Sequence, residues 1–518
     1  MSLIKSFTTV GFFTILSRIF GFLRDFLMAM YIGAGPVTDA LVVSIKIPST
    51  LRRLFAEGAF NAAFVPLFAG TLSAEGKKEA QTYAEEVMSF LVTVIIGVIL
   101  IFELFAPFFM SFLTPGFKAT PERFELALAF TRITFPYLLL ISLTALYSGI
   151  LNSLDRFVAA AISPAIGNIF ICGIMIIAGA SVNIGEIVAV AVLLSGLVQL
   201  LCVLFPTHQQ NIKLRLIRPG LTPRTKKFLI RMIPGAIGSG VVQINLFIGT
   251  TIASFLPIGG VSYLYYADRL NQLPLSVIGT AISTALLPLM SRQLRRGDTQ
   301  AALHNQNRSL EFGLLLALPA TIALLIAAEP FVIVLFERGK FTAEIAHQTA
   351  LTLMGYACGL PAYILIKIFA TSFFSREDTK TPVIIAAIAV VVDIALSLLL
   401  FIPLKHVGIA LATAGASWVN AILLAFMLRK RDLLNFDARL KRFIPKVLAS
   451  SFMMALVLYI VIENTHDFIL GNNWERIAGL ILIVGSGLIV FFVGVFLTKA
   501  VNFKDFDKNP PSHDVPLP

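Results

Sequence analysis

Carboxylates are scarce in this sequence: 29 Asp and Glu stand against 41 Lys and Arg, a formal net charge of +12. An intramembrane phosphotransferase needs acids that hold a metal ion, and no Asp-rich cluster occurs. HExxH, GxSxG and Walker patterns are missing too. The six histidines, His208, His304, His347, His406, His466 and His513, fall in or beside expected loops. Catalytic residues and cofactors are therefore not expected, and no metal ligands are assigned. Cysteine is nearly absent. Cys172, Cys202 and Cys358 lie in apolar runs at unmatched spacings, which reads as small buried hydrophobes rather than a disulfide or metal framework.

Charge of either sign is thin. Charged residues make 14% of the 518-residue chain, against about 25% in soluble domains. Hydrophobic residues make 57% and recur in long runs, so the chain reads as an all-α polytopic membrane protein. One lysine, Lys5, and no small-residue cleavage site precede the first long run, so no signal peptide is expected. Hydropathy gives about fourteen spans of the ~20 residues a bilayer requires. Their limits are 6–32, 37–70, 82–112, 124–151, 159–179, 186–205, 226–256, 262–291, 309–336, 346–374, 381–402, 407–428, 443–463 and 476–498.

The basic excess is placed asymmetrically. Loops after even-numbered spans, with their adjoining span ends and the two termini, hold 27 of the 41 Lys and Arg; loops after odd-numbered spans, with their adjoining span ends, hold six. Positive charge marks cytoplasmic loops, so both termini are expected in the cytoplasm and nucleic acid is not the expected partner. A weak repeat runs through the chain. Residues 64–80 echo 286–301, with Pro66 matching Pro288, and 103–117 echo 329–341. The offset stays near 222–225. Spans 1–6 and 7–12 then form two six-helix lobes in parallel pseudo-twofold repeat, with two extra C-terminal helices. The expected domains are an N-lobe at 1–205, a basic cytoplasmic loop at 206–225, a C-lobe at 226–430, helices 13 and 14 at 431–500 and a cytoplasmic tail at 501–518.

Within this apolar sequence, residues 17–57 carry Arg18, Arg24, Asp25, Asp39, Lys46, Arg52, Arg53 and Glu57. A charge at the bilayer centre costs roughly 2.5–3.5 kcal/mol on insertion scales, so such groups face a partner or a wet cavity. Arg18 and Asp25 share a helix face, and Arg53 and Glu57 are spaced to pair. On an unbroken helix Asp39, Lys46 and Arg53 would form a stripe, which Pro48 is expected to break or bend. Arg18, Arg24 and Arg52 are left as the least neutralised cations. The second half adds Arg269 beside Asp268. Guanidinium presents a planar fork suited to phosphate oxygens, so the expected substrate is an anion. Asp393, near mid-span in VVVDIALSLLL, has no basic residue within a turn; Ser397, Asn245 and Thr413 are candidate oxygen donors for a Na⁺ or proton site beside it.

The segments SRIFGFLRD, GAGPVTDAL, KIPSTLRRLFAEGAFNAAFVPLF, TFPYLLLISL, YYADRLNQLP and FSREDTKTP together resemble the lipid II flippases of bacterial peptidoglycan synthesis, within the multidrug/oligosaccharidyl-lipid/polysaccharide exporter superfamily. The resemblance covers nearly the whole chain. It implies fourteen helices, a tail groove at helices 13 and 14, and alternating access in the bacterial inner membrane, driven by Na⁺, H⁺ or the membrane potential. It also implies a central site at Ser17, Arg18, Arg24, Asp25, Asp39, Arg52, Glu57, Ser262 and Arg269. Substrate would meet Ser17, Ser262 and the four arginines; Asp25, Asp39, Arg53, Glu57 and Asp268 would exchange partners as gates. Ser49 and Gln272 depart from the family's expected Asn and Glu. Two other readings are weaker. A multidrug exporter of cations should have an acidic cavity, and an enzyme acting on the same lipid should have an acidic cluster.

Overall fold

The computed structural model describes residues 3–55 and 58–500 and is helical throughout, with no strand among the described residues. Helices coincide with all fourteen expected spans, and ten helices or joined helix pairs are long and apolar enough to cross a bilayer. The segments divide into two compact units, residues 1–262 with 338–342, and 263–337 with 343–518.

The first unit holds α1 (Leu3–Ile32), α2 (Pro36–Phe55), α3 (Ala59–Ala74), α4 (Lys77–Leu104), α5 (Ala106–Leu113), a 3-10 turn (Pro115–Ala119), α6 (Pro121–Thr134), α7 (Tyr137–Ser153), α8 (Phe157–Ala178), α9 (Ile184–Gln209) and α10 (Pro223–Ser254). Its core stacks Phe60 on Phe64 and Phe64 on Tyr83. Proline does not act uniformly here. The expected break at Pro48 does not occur: α2 runs through it to Phe55. At Phe135 and Pro136, by contrast, α6 gives way to α7. Two turns interlock where Lys340 N–H donates to Met30 O at 2.9 Å. Gly33 (φ 78°) and Gly339 (φ 58°) face each other's backbone there, and a Cβ on either would fall within 2.5 Å of a carbonyl oxygen. Only glycine tolerates both the left-handed backbone and that approach.

The basic loop 206–225 lies along α4. Ile217 N–H donates to Ser89 Oγ at 2.9 Å and Arg215 N–H to Glu85 Oε1 at 3.1 Å. Arg224 bridges Glu75 and Glu79 at 2.9 and 2.8 Å. Hydrogen bonding to Glu79, aided by the charges of Glu75 and Glu79, raises the Arg224 pKa. Thr222 caps α10 and Pro223 opens it. The repeat assigns span 7 to the second half, yet α10 packs on α2, α3 and α4 of the first unit.

The second unit continues α11 (Gly260–Arg295), which begins in the first, and adds α12 (Thr299–Ile326), α13 (Ala328–Phe336), α14 (Ala343–Ala357), α15 (Leu360–Phe374), α16 (Lys380–Lys430), α17 (Ala438–Asn464), α18 (His466–Leu470) and α19 (Asn473–Leu497). Helix α16 covers spans 11 and 12 and is interrupted at Lys405 (φ 50°, ψ −127°). The two C-terminal helices share this unit's core: Val447, Met454, Leu458, Ile483 and Phe491 join Leu310 and Ala317 of α12. Large apolar side chains such as Leu104, Ile177, Ile402 and Phe496 point outward. In water such a surface would mark a partner; on spanning helices it is the lipid face.

Candidate functional site

The mid-span charges of the first unit lie on α1 and α2. Arg18 is exposed and, among the described residues, has no ion-pair or side-chain hydrogen-bond partner. Arg24 is different. Its Nη2 lies 2.8 Å from Asp25 Oδ1, and its Nη1 donates to Asn168 Oδ1 of α8 at 3.1 Å. The expectation that Arg24 is among the least neutralised cations is therefore corrected. Adjacent helix positions point apart, but the long arginine stem folds back to its neighbour, and Asp25 is buried beneath it. Asn168 Nδ2 approaches Ser17 O at 3.4 Å, tying that turn of α1 to α8. Arg52 and Lys46 are half-buried near the end of α2, and Arg53 is exposed. Glu57 lies outside the described residues.

Asp39 is completely buried at the start of α2. Its Oδ2 lies 2.9 Å from Arg123 Nη2 and accepts from Gly259 N–H at 2.8 Å. Its Oδ1 accepts from Ser262 N–H at 2.8 Å and Ser262 Oγ–H at 2.6 Å. Ser262, expected at the substrate, is thus enclosed against Asp39 in this structure. Arg123 is 2% exposed; it donates to Leu256 O at 2.9 Å and packs 3.8 Å over the Phe117 ring. Nearby, Ser254 Oγ accepts from Gly116 N–H at 3.0 Å. The turns after spans 1, 3 and 7 are joined by this network. A buried carboxylate with one guanidinium and three further donors is neutralised and fully hydrogen-bonded, the condition under which such a charge is tolerated. Sequence reading missed Arg123 because it falls at the edge of span 4 and counts there as a loop residue. The usable signal was Asp39, a carboxylate in apolar sequence that required a cation.

In the second unit, Arg269 lies 4.8 Å from the Tyr265 ring, a cation–π contact. Gln272 Nε2 donates to Asp268, four residues back on the same face. A glutamate at position 272 would meet Asp268 as a like charge, where the glutamine offers a hydrogen bond. Thr413 Oγ1 lies 3.3 Å from Asp393 Oδ1. Ser397 is buried on the same stretch, while Asn245 belongs to the first unit. His406 Nδ1 contacts Thr352 Oγ1 at 2.8 Å and Nε2 contacts Gln348 Oε1 at 3.1 Å. Burial, with Lys405 beside it, lowers the His406 pKa to about 4. Among the described residues no cluster of His, Cys, Asp and Glu is arranged to hold a metal ion.

The lipid II flippase MurJ family model matches residues 28–479. This chain belongs to the MurJ family. A probable lipid II flippase MurJ of Rhizobium meliloti is 45% identical over 468 residues, covering 89% of this chain and 87% of the relative. One from Rickettsia prowazekii is 36% identical over 512 residues, covering 98% of this chain and all of the relative. A solved structure titled lipid II flippase MurJ, inward closed conformation, has a TM-score of 0.80 at 26% identity, covering 96% of this chain and 99% of that one. An inward-facing multidrug-resistance MATE transporter shares the fold, with a TM-score of 0.68 at 16% identity over 80% of this chain and 94% of that one. Membership makes the chain an integral membrane transporter rather than an enzyme, with the architecture of the solved MurJ structure. In the first unit, Arg18 is exposed and Arg52 half-buried on apolar helices.

Proposed function

We propose that this chain moves lipid II from the cytoplasmic to the outer leaflet of a bacterial inner membrane by alternating access. It works as a monomer with both termini in the cytoplasm. The observation that carries this reading is an exposed arginine, Arg18, on an apolar helix, with Arg24 and Arg52 accessible in part. Lipid II carries a diphosphate, and guanidinium forks bind its oxygens with charge-assisted bonds. Arg18, Arg24 and Arg52 of the first unit meet the diphosphate. Binding the head group this way offsets the cost of taking it through hydrocarbon.

The Asp39–Arg123 network is the outer gate of this reading. It must open for release, and opening separates a buried ion pair, which costs several kcal/mol unless other partners replace the lost ones. A coupling cation at Asp393 would supply part of that work: movement through the membrane field contributes about 2.3 kcal/mol per charge per 100 mV. No cofactor takes part. A cation-exporting reading draws no support from the site, whose surplus charge is positive.

The deciding experiment is reconstitution in proteoliposomes with fluorescent lipid II, scoring leaflet transfer with and without a membrane potential. Transfer above that of protein-free vesicles is expected; none under either condition would refute the reading. Orientation is tested with Arg215→Cys and Asp467→Cys, both exposed positions. Labelling of the first only from the cytoplasm and the second only from outside is expected.

A further inference from the structure

The C-terminal end of α11 carries Leu287, Pro288, Ser291, Arg292 and Arg295, which with Arg296 of the following turn line one open cavity of about 470 Å³. Their spacing of three and four residues puts them on one helix face. Apolar Leu287 and Pro288 lie toward the span, Ser291 follows, and the arginines lie at the end. Among the described residues none of the three arginines has an ion-pair or side-chain hydrogen-bond partner.

Cations at a helix C-terminus have an ordinary explanation in the helix dipole, and cytoplasmic ends collect them. The internal repeat shows that this helix end does not need them. At the offset of 222 that matches Pro66 to Pro288, Arg292, Arg295 and Arg296 correspond to Gly70, Ser73 and Ala74. Helix α3 ends at Ala74 with no basic residue in its last turn. The three guanidinium groups are therefore an addition particular to the second half, and all three are exposed along the open cavity.

We infer that this cavity binds the diphosphate of a polyprenyl-diphosphate lipid, a station made of residues other than the mid-span arginines. Charge selects the ligand. A phospholipid phosphodiester brings one negative charge and would leave two of the three cations uncompensated; a diphosphate diester brings two. Its oxygens match the guanidinium forks, the Ser291 hydroxyl can donate to a further oxygen, and the first isoprene units lie on Leu287 and Pro288. The volume is within the usual range of small-molecule sites, about 300–1,000 Å³. The inference rests on the lipid-diphosphate substrate of the proposed function and assigns where it is first held.

The test uses full-length protein in nanodiscs of zwitterionic phospholipid, with Cys172, Cys202 and Cys358 replaced by serine and an environment-sensitive fluorophore on Ser291→Cys. Undecaprenyl diphosphate should give a saturable signal, weakened at least tenfold in Arg292→Gln/Arg295→Gln/Arg296→Gln. Inorganic pyrophosphate should bind at least tenfold more weakly, and phosphatidylglycerol should not compete. An absent signal, or one unchanged in the triple variant, overturns the site. Equal binding of free pyrophosphate overturns the role of the lipid chain, and effective competition by phosphatidylglycerol reduces the cavity to a general anionic anchor. In the leaflet-transfer assay the triple variant should need at least fivefold more lipid II for half-maximal rate and keep its maximal rate. Failure of the unmodified protein to transfer lipid II would count against the proposed function, while the fluorescence result would still decide this site.

Discussion

The first unit holds intramembrane charge in two opposite conditions. Asp39 and Arg123 are enclosed, and the Asp39 carboxylate has a guanidinium, two backbone N–H groups and a hydroxyl around it. On α1, Arg18 is exposed, and Arg24 is held by Asp25 and Asn168 while keeping 23% of its side chain accessible. The contrast is informative because both sets lie in one compact unit. Where this fold needs a charge neutralised it brings several groups from distant turns to do it. Arg18 has not been treated in that way, so its compensating anion is expected from outside the protein.

The largest effect should come from breaking the enclosed set. Arg123→Ala leaves Asp39 buried without its cation, a change commonly worth about 3–5 kcal/mol. Thermal unfolding in detergent should show a large loss, and Asp39→Asn combined with Arg123→Gln should lose clearly less than the sum of the single changes. Additive losses would mean that the pair is not coupled. His406 supplies a second enclosed contact, in the other unit, that can be broken by pH. Its pKa is lowered from 6.5 to about 4, so both states are neutral above pH 6.5 and the contribution is then complete. As pH falls from 6.5 to 4 the unfolded chain takes up a proton that the folded chain refuses. Stability should fall across that window by up to about 3 kcal/mol. His406→Gln should flatten that part of the pH profile; an unchanged profile would assign it to other groups.

The exposed set should respond in transport with little loss of stability. Arg18→Ala, or Arg52→Ala at the half-buried position on α2, removes a charge-assisted contact worth roughly 1.5–3 kcal/mol, an expected loss of about 10- to 150-fold in lipid II transfer. Lysine should rescue poorly because it lacks the fork. Unimpaired transfer in both alanine variants, or a drop in thermal stability as large as that of Arg123→Ala, would erase the distinction between the two sets.

The same division explains what could be read from sequence. Hydropathy located the helices because each must be apolar across the bilayer, and an arginine in an apolar run is visible at once; Arg18 and Arg52 were legible for that reason. Partners distant in sequence were not. Nothing in the run PERFELALAF marks Arg123 as the cation of Asp39, 84 positions away. Helical faces misled at Asp25, since position on a helical wheel takes no account of the length and flexibility of the arginine stem. Pro48 does not break the helix: a proline removes one hydrogen bond, but α2 continues through it. The repeat aligned the two halves without saying which apolar faces would pack, so the contacts of α10 with α2, α3 and α4 could not be read from it.

The smallest effect is expected at Asp393, and it should be visible only under a gradient. This carboxylate lies thirteen residues into α16, about 20 Å along the helix at ~1.5 Å per residue and so near the middle of a ~30 Å core. It is half-buried, with Thr413 Oγ1 3.3 Å from Oδ1 and Ser397 buried one turn on in the same helix. Like Asp39 of the enclosed set, it is a carboxylate beside a hydroxyl. It differs in being partly accessible, which a site that loads and unloads a cation requires. Asp393→Asn preserves size and hydrogen bonding but removes the charge that would hold Na⁺ or a proton. Transfer without a gradient should change by no more than about twofold, and lipid II binding should be retained. The acceleration by a Na⁺ or pH gradient, bounded by about 2.3 kcal/mol per charge per 100 mV, should disappear. An Asn variant that keeps its gradient response would place Asp393 with the enclosed contacts, as a structural carboxylate hydrogen-bonded to Thr413.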